Sequence, residues 1–221
     1  MAYAKITHGV YDLKIAIRNS DGTSSAWHAW EGTANFQDSK VNESSDYYLS
    51  NVPQERSSDL TNRTVTLEMG FDNNLVRYLA GYSNINPTLS GSTFAPTGTN
   101  APISDSGSPI PCALAKISDI RDPNTGTNDL SMRIYYLGFI DYDFNQFVTD
   151  APETKTTVAA TGTFGKDSDS SHGNGHAFIE FTKSAVGDTF WTTAQTTIPS
   201  YDDVITALTS SSTSEVGTLD S

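Results

Sequence analysis

The stretch Leu60 to Tyr82, LTNRTVTLEMGFDNNLVRYLAGY, joins a strand pattern to a helix pattern with almost no slack. From Arg63 to Met69 the apolar residues Val65, Leu67 and Met69 alternate with Thr64, Thr66 and Glu68, the period-two signature of a strand with one buried face. Asp72 then offers an N-cap oxygen, with Phe71 placed to staple against Val76, while Leu75, Val76 and Leu79 share a helical face and Gly81 stops the helix. A short helix so close to a strand has to fold back over the sheet or its edge, which predicts a plug on one open end of a β core.

Other alternating stretches extend this reading. Val10 to Arg18 sets Tyr11, Leu13, Ile15 and Ile17 against Asp12, Lys14, Ala16 and Arg18, and runs into the turn signal Asn19-Ser20-Asp21-Gly22. A β-hairpin is expected, with Ser25 to Thr33 as its return arm and Trp27 and Trp30 breaking the alternation through a bulge. Ser83 to Pro111 reads as an irregular surface excursion, Cys112 to Ile120 as a strand, and Asp122 to Gly126 as the next turn. Leu130 to Phe147 is a long strand, apolar on one side and kinked at Gly138, with Asp141 and Asp143 sharing a face. Thr156 to Phe164 and Ala177 to Lys183 are further strands around a hairpin tip or flexible loop, GKDSDSSHGNGH. Ser200 to Leu208 forms a short helix with Ser200 as cap, Asp202 and Asp203 at the positive end, and Val204, Ile205 and Leu208 as its apolar stripe. The tail beyond it is compositionally disordered.

Between the opening hairpin and Leu60 the chain turns polar. Gln37 to Leu60 shows no sustained period and reads as a loop, unusually long for a connection inside one domain. Its Tyr47-Tyr48-Leu49 and Val52-Pro53 clusters exceed what a solvated linker needs. Two readings are open: the loop packs against another subunit, or it lies on its own domain.

The balance of 26 acidic to 13 basic residues is uneven: 14 to 10 up to Gly138, and 12 to 3 from Phe139 onward. A net charge of -13 repels phosphate backbones, which argues against sequence-reading nucleic-acid binding but suits a conduit whose walls must not hold DNA. The single cysteine, Cys112, excludes an intramolecular disulfide framework and is expected as a small buried hydrophobe. The start of the chain carries no long apolar run, and no segment has the length to span a membrane, so synthesis in a cytoplasm without export is expected.

No catalytic set emerges. His172 and His176 share a loop with Asp167 and Asp169, but their spacing matches no helix-borne metal pair and the surrounding glycines do not preform a site. Nucleophile-elbow, phosphate-loop and dinucleotide signatures are missing, and Asp141 with Asp143 reads as the polar face of a strand before a glycosidase pair. The expectation is a non-enzyme without cofactor or metal.

The order of these elements, an N-terminal hairpin, a long polar segment, SSDLTNRTVTLEMGFDNNLVRYLAGY, the aromatic strand RIYYLGFIDYDFNQF, TVAATGTFG and a late GDTFW, resembles the major tail proteins of long, non-contractile-tailed bacteriophages over roughly Met1 to Trp191. The resemblance implies six copies in a ring, rings stacked into a tail tube through which DNA leaves the capsid, and a loop, here Asp38 to Leu60, that reaches a neighbouring ring. Tyr47, Tyr48, Leu49, Val52 and Pro53 are then the inter-ring residues, and Asp141 and Asp143 the candidates for an acidic lumen. It implies tape-measure, tail-terminator and distal-tail proteins as partners, passing DNA that is not specifically bound, no membrane, and a place in the virion after assembly in the host cytoplasm. The expected fold is mainly β, an antiparallel β-sandwich or partly closed barrel (1–199) with one short flanking helix and long inter-strand loops, followed by a short helix and flexible tail (200–221). The competing reading is a phage decoration or receptor-binding β-sandwich protein.

Overall fold

Val65 and Leu67 are fully buried while Thr64 and Thr66 beside them are only partly so, the one-sided burial that their alternation predicts. The computed structural model describes residues 6–18, 24–30, 33–49, 52–69, 74–86, 95–96, 104, 107–121, 126–142, 158–169 and 171–212. Its elements are β1 (Ile6–Ile17), β2 (His28–Ala29), β3 (Thr33–Leu49), β4 (Val52–Met69), α1 (Asn74–Leu79), β5 (Ile85–Asn86), β6 (Ala95–Pro96), β7 (Cys112–Arg121), β8 (Asn128–Tyr142), β9 (Val158–Gly165), β10 (Phe178–Thr182), α2 (Lys183–Val186), α3 (Asp188–Ala194) and α4 (Tyr201–Ser212).

An antiparallel eight-stranded sheet runs β2-β1-β7-β8-β9-β4-β3, and β10 adds to β8. The fold is mainly β, as the sequence predicts, but the sheet is not closed into a barrel, since β2 and β3 stand at opposite ends of the path. Leu13, Ile15, Val65, Leu67, Leu114, Tyr135, Ile140 and Phe164 form one buried cluster, into which α1 seats Leu75 and Leu79. The helix therefore folds back over the sheet as expected, but it packs on β8, in the middle of the strand order, and does not plug an open end. Its end is a Schellman motif: the Gly81 N–H donates to Tyr78 O at 3.0 Å and the Tyr82 N–H to Arg77 O at 2.9 Å. Gly81 has φ +86, and a Cβ there would lie 2.5 Å from the Ser108 carbonyl carbon, so both the turn and the close approach demand glycine. Asp72 and Phe71, the expected cap and staple, lie outside the described residues.

Four other expectations need correction. The polar stretch Gln37 to Leu60 is not a loop: β3 and β4 pair through it as far as Leu49 with Val52. Ser, Asn, Asp and Glu dominate both arms in sequence, so the alternation that reveals a strand is missing, and the pairing continues from the stem. The return arm of the first hairpin is interrupted, not continuous: Arg18 bridges Ser24 and the Ser25 N–H donates to Ile17 O at 2.9 Å, then Lys14 pairs Ala29, Ile15 pairs His28 and the Trp30 N–H donates to Leu13 O at 2.8 Å, while between them Trp27 turns away and donates its indole N–H to Ala194 O at 3.0 Å. Nor is β8 apolar on one side only. Tyr135 joins the first cluster, whereas Met132, Ile134 and Tyr136 join a second with Ala115, Ile117, Ile179, Phe181, Trp191 and Val204. The unforeseen α2 and α3 cover that face together with α4. Finally, one flanking helix becomes three beside the C-terminal one.

The C-terminal helix α4 begins as expected, in a reciprocal capping box. The Asp203 N–H donates to Ser200 Oγ at 3.1 Å, and the Ser200 N–H donates back to the Asp203 carboxylate at 3.1 Å. Near its middle β8 changes partner, from β10 at residues 131–135 to β9 at residues 137–142, next to an irregularity in its register with β7. The expected break at Gly138 falls there.

Candidate functional site

The hairpin formed by β3 and β4 outruns the sheet that supports it. β4 pairs with β9 from Met69 to Asn62, opposite Gly165, the last residue of β9. Beyond that point residues 42–49 and 52–60 pair only with each other among the described residues. At a rise of about 3.4 Å per residue, eight further pairs carry the tip roughly 27 Å past the sheet.

Where the ribbon leaves the body, three strands meet on one carboxylate. Asp38 of β3 accepts Nε and Nη2 of Arg63 on β4 at 2.8 and 2.9 Å, Nη1 of Arg133 on β8 at 2.7 Å, and the Tyr135 hydroxyl at 2.6 Å. Three of these donors converge on Oδ2 and one reaches Oδ1, so the carboxylate is engaged through both oxygens. Arg133 turns its Nε to Glu180 of β10 at 2.9 Å, its Nη2 also reaching that carboxylate, and the other oxygen of Glu180 accepts from Ser131 at 2.8 Å. Phe178 lies under both guanidiniums, 4.6 Å from Arg63 and 4.8 Å from Arg133, a cation–π contact in each case. Lys116 caps the Phe36 ring at 4.9 Å.

The carboxylate of Asp38 is only 8% exposed. Burial raises its pKa, but the hydrogen bonds from Arg63 and Tyr135 and the charges of Arg63 and Arg133 outweigh it, leaving it below the ordinary value. Tyr135 is pushed up, by burial first and then by Asp38, and so keeps the proton it donates. A buried anion held bidentately by one arginine and again by a second fixes direction as well as attraction. The assembly is a clamp that ties β3 and β4 to β8 and β10 at the base of the projecting hairpin.

The residues singled out in the sequence are spread out. Tyr47, Tyr48 and Leu49 end β3, and Val52 and Pro53 begin β4, so all five sit at the far end of the hairpin, with Tyr48 opposite Pro53 and Leu49 opposite Val52. Asp141 is exposed on β8 opposite Thr161; Asp143 lies outside the described residues. Phe139, 46% exposed, shares the face of Asp141. No protein-family model matches the chain, and no curated protein matches its sequence.

The histidine loop does not gather. Asp167 turns inward to a buried ion pair with Arg18 at 3.2 Å, His176 stacks on Tyr201 with ring centroids 4.6 Å apart, and His172 Nδ1 contacts Asp169 at 3.1 Å. Asp169 itself is held down to about 2 by the Ser171 hydroxyl and backbone N–H and then by His172. Among the described residues no three His, Cys, Asp or Glu side chains are placed to hold a metal. The loop closes in a turn at Asn174-Gly175, where the His176 N–H donates to Gly173 O at 2.9 Å. That dipeptide is the signal that identifies a hairpin tip here. Cys112 is fully buried, its thiol 3.6 Å from Gly138 O and its pKa raised by burial.

Sequence reasoning missed the clamp. Asp38 entered only as the start of a loop, and Arg63, Arg133 and Glu180 only as members of strands, with no role of their own. Arg133 and Tyr135 two apart on one strand place a cation and a hydroxyl on the same face, but no local pattern couples them to residue 38.

Proposed function

We propose that this chain is a structural virion protein of a long, non-contractile-tailed bacteriophage, forming hexameric rings that stack into the tail tube, with an acidic wall along which DNA passes without binding. The observation that carries the reading is the hairpin that projects beyond its own sheet. An isolated two-stranded ribbon is at best marginally stable in water, and a clamp at its base serves a ribbon that meets something outside its own domain. The open sheet ends at β2 and β3 and the charge of -13 agree with subunits that join by their edges around a channel poor in DNA-binding cations. The reading involves no catalytic step and no cofactor. It places the chain in the virion after assembly in the host cytoplasm, beside tape-measure, tail-terminator and distal-tail proteins.

Negative-stain electron microscopy with sedimentation over a concentration series tests it. The full chain is expected to give rings and hollow tubes. Deletion of Glu43 to Arg56 leaves the paired residues Asn42 and Leu60 joined by three residues, enough for a hairpin connection; this variant is expected to stay folded and to form no tubes. An unfolded deletion product, or a closed trimer of the full chain, would overturn the reading.

Asp141 and Asp143 are the proposed lumen residues. With both replaced by lysine, particles are expected to assemble with tails of normal length and to eject DNA poorly, because the wall then attracts the phosphate backbone. Ejection at the parental rate would remove these residues from the lumen.

A further inference from the structure

Asn174 is the one asparagine of the chain that is followed by glycine. Both residues are exposed, with φ +47 at Asn174 and +83 at Gly175, the left-handed pair that an Asn-Gly turn favours. A Cβ at Gly175 would meet nothing within 4 Å among the described residues, so its nitrogen lies open beside the Asn174 carboxamide. Once deprotonated, that nitrogen can attack Asn174 Cγ. The N–Cγ bond forms, the Cγ–Nδ2 bond breaks and ammonia leaves; water then opens the five-membered imide to aspartate or, from its other carbonyl, to isoaspartate. The fold opposes the first step. The Gly175 N–H donates to Asp167 O at 2.6 Å and the Asn174 N–H to Asp169 O at 3.0 Å, and a hydrogen bond made by the protonated form disfavours its ionisation. Asp167 is itself fixed: it is buried, its Oδ2 accepts Arg18 Nη2 at 3.2 Å, and its Oδ1 accepts the Asp169 N–H at 3.0 Å. Arg18, buried at the end of β1, is held in turn through its own N–H by Pro111 O at 2.8 Å.

We propose that Asn174 is a self-modification site, converting through a cyclic imide with Gly175 to aspartate and isoaspartate, and that the Arg18–Asp167 ion pair gates it by holding the Asp167 carbonyl against the Gly175 N–H. The proposal needs only one copy of the chain and is independent of the tube reading. Either product adds a negative charge. Isoaspartate also lengthens the main chain between residues 174 and 175, so the bridge between Asp167 and His176 no longer closes in register. The same loop steadies the start of α4, because His172 O accepts the Tyr201 N–H at 2.7 Å and the His176 ring stacks on Tyr201. Conversion is therefore a one-way change that loosens the α4 cap in molecules whose loop has opened.

The test follows one peptide by mass spectrometry. Trypsin cuts after Lys166 and Lys183, and the peptide between them holds Asn174 as its single side-chain amide, so an amide-to-acid mass gain reads this site alone. The full-length chain is incubated at mildly alkaline pH, folded and in urea, then digested. The folded parent is expected to convert at least about tenfold more slowly than the unfolded chain, because only molecules with the loop open react. Folded Arg18→Gln, checked by circular dichroism, is expected to convert at least about fivefold faster than the folded parent, since one partner of a buried pair is gone. Arg18→Lys, which keeps a cation at shorter reach, carries the same test in milder form. Leu79→Ala, which empties a fully buried site under α1, is expected to stay near the parental rate. Equal rates in the folded and unfolded parent, a comparison that needs no variant, would overturn the gate, and no mass gain in the unfolded chain would overturn the site. Conversion of the folded arginine variants at the parental rate, or of Leu79→Ala as fast as Arg18→Gln, would remove the ion pair from the gate.

Discussion

Replacing Asp38 by asparagine is expected to cost about 3 kcal/mol of folding stability at neutral pH, as when one partner of a buried charge network is removed and the others stay. Asparagine keeps the shape but has one acceptor oxygen instead of two, and its amide N–H groups face the donors of Arg63, Arg133 and Tyr135 that now surround Asp38. Among the described residues, Glu180 then remains as a counter-charge, bonded to Arg133. Glu180 is itself 40% exposed, so Glu180→Gln is expected to cost less than about 1 kcal/mol. The pH dependence follows from the sign of the shift. The folded pKa of Asp38 lies below the ordinary 3.8, so its contribution is fully present above that value and is lost as pH falls through the folded pKa. Urea titrations at pH 7 and at successively lower pH should therefore show a gap between parent and Asp38→Asn that narrows in acid. A gap independent of pH would mean that the charge of Asp38 is not what stabilises the stem.

Phe164→Ala is the second large effect, about 4 kcal/mol by the usual cost of emptying a buried aromatic site. Phe164 is fully buried, packs against Tyr135 with ring centroids 5.3 Å apart, and lies over two glycines of the sheet. A Cβ at Gly138 would come within 2.3 Å of its ring and one at Gly162 within 2.6 Å. The glycines make room for the ring, so Gly162→Ala alone is expected to cost about 2 kcal/mol through overpacking. In the Phe164→Ala background the nearest neighbour left to the added methyl is the end of Ile140, at 3.0 Å, and the methyl occupies part of the vacated space. The double variant should be more stable than the sum of the single effects by at least about 1 kcal/mol, a coupling measurable by chemical denaturation of all four proteins. Strict additivity would show that the ring and the glycine are not packed against each other.

The parts of this fold that were legible are those whose burial follows a local rule. Leu13, Ile15 and Ile17, or Val65 and Leu67, announce their strands because one face is dry, and Ser200 with Asp203 announces the start of α4 because both halves of the cap lie within one turn. The hairpin arms beyond Asn62 were illegible because their Ser, Asn, Asp and Glu carry neither period nor strand propensity. α2 and α3, of four and seven residues, are too short to complete an apolar stripe, and their role appears only once Trp191 and Val186 are seen covering β8. The tip residues Tyr47 to Pro53 were picked out by composition alone, and the hairpin explains why they lie together. The clamp joins residues 38, 63, 133 and 180, and no reading of neighbours in sequence brings those four together.

β8 has a consequence for how the protein comes apart. Its residues Met132, Ile134 and Tyr136 face one core and Tyr135 the other, while its far edge holds β10 along one half and β9 along the next. Neither core can be flooded without stripping this shared wall, so the two do not melt as separate foldons, and the amides of Met132 to Tyr136 belong to the last set to exchange with solvent deuterium. The sheet end at β3, where the projecting ribbon begins, belongs to the first. On the proposed tube reading, the slowest-exchanging amides lie at the centre of each copy and the fastest in the arm that reaches the next.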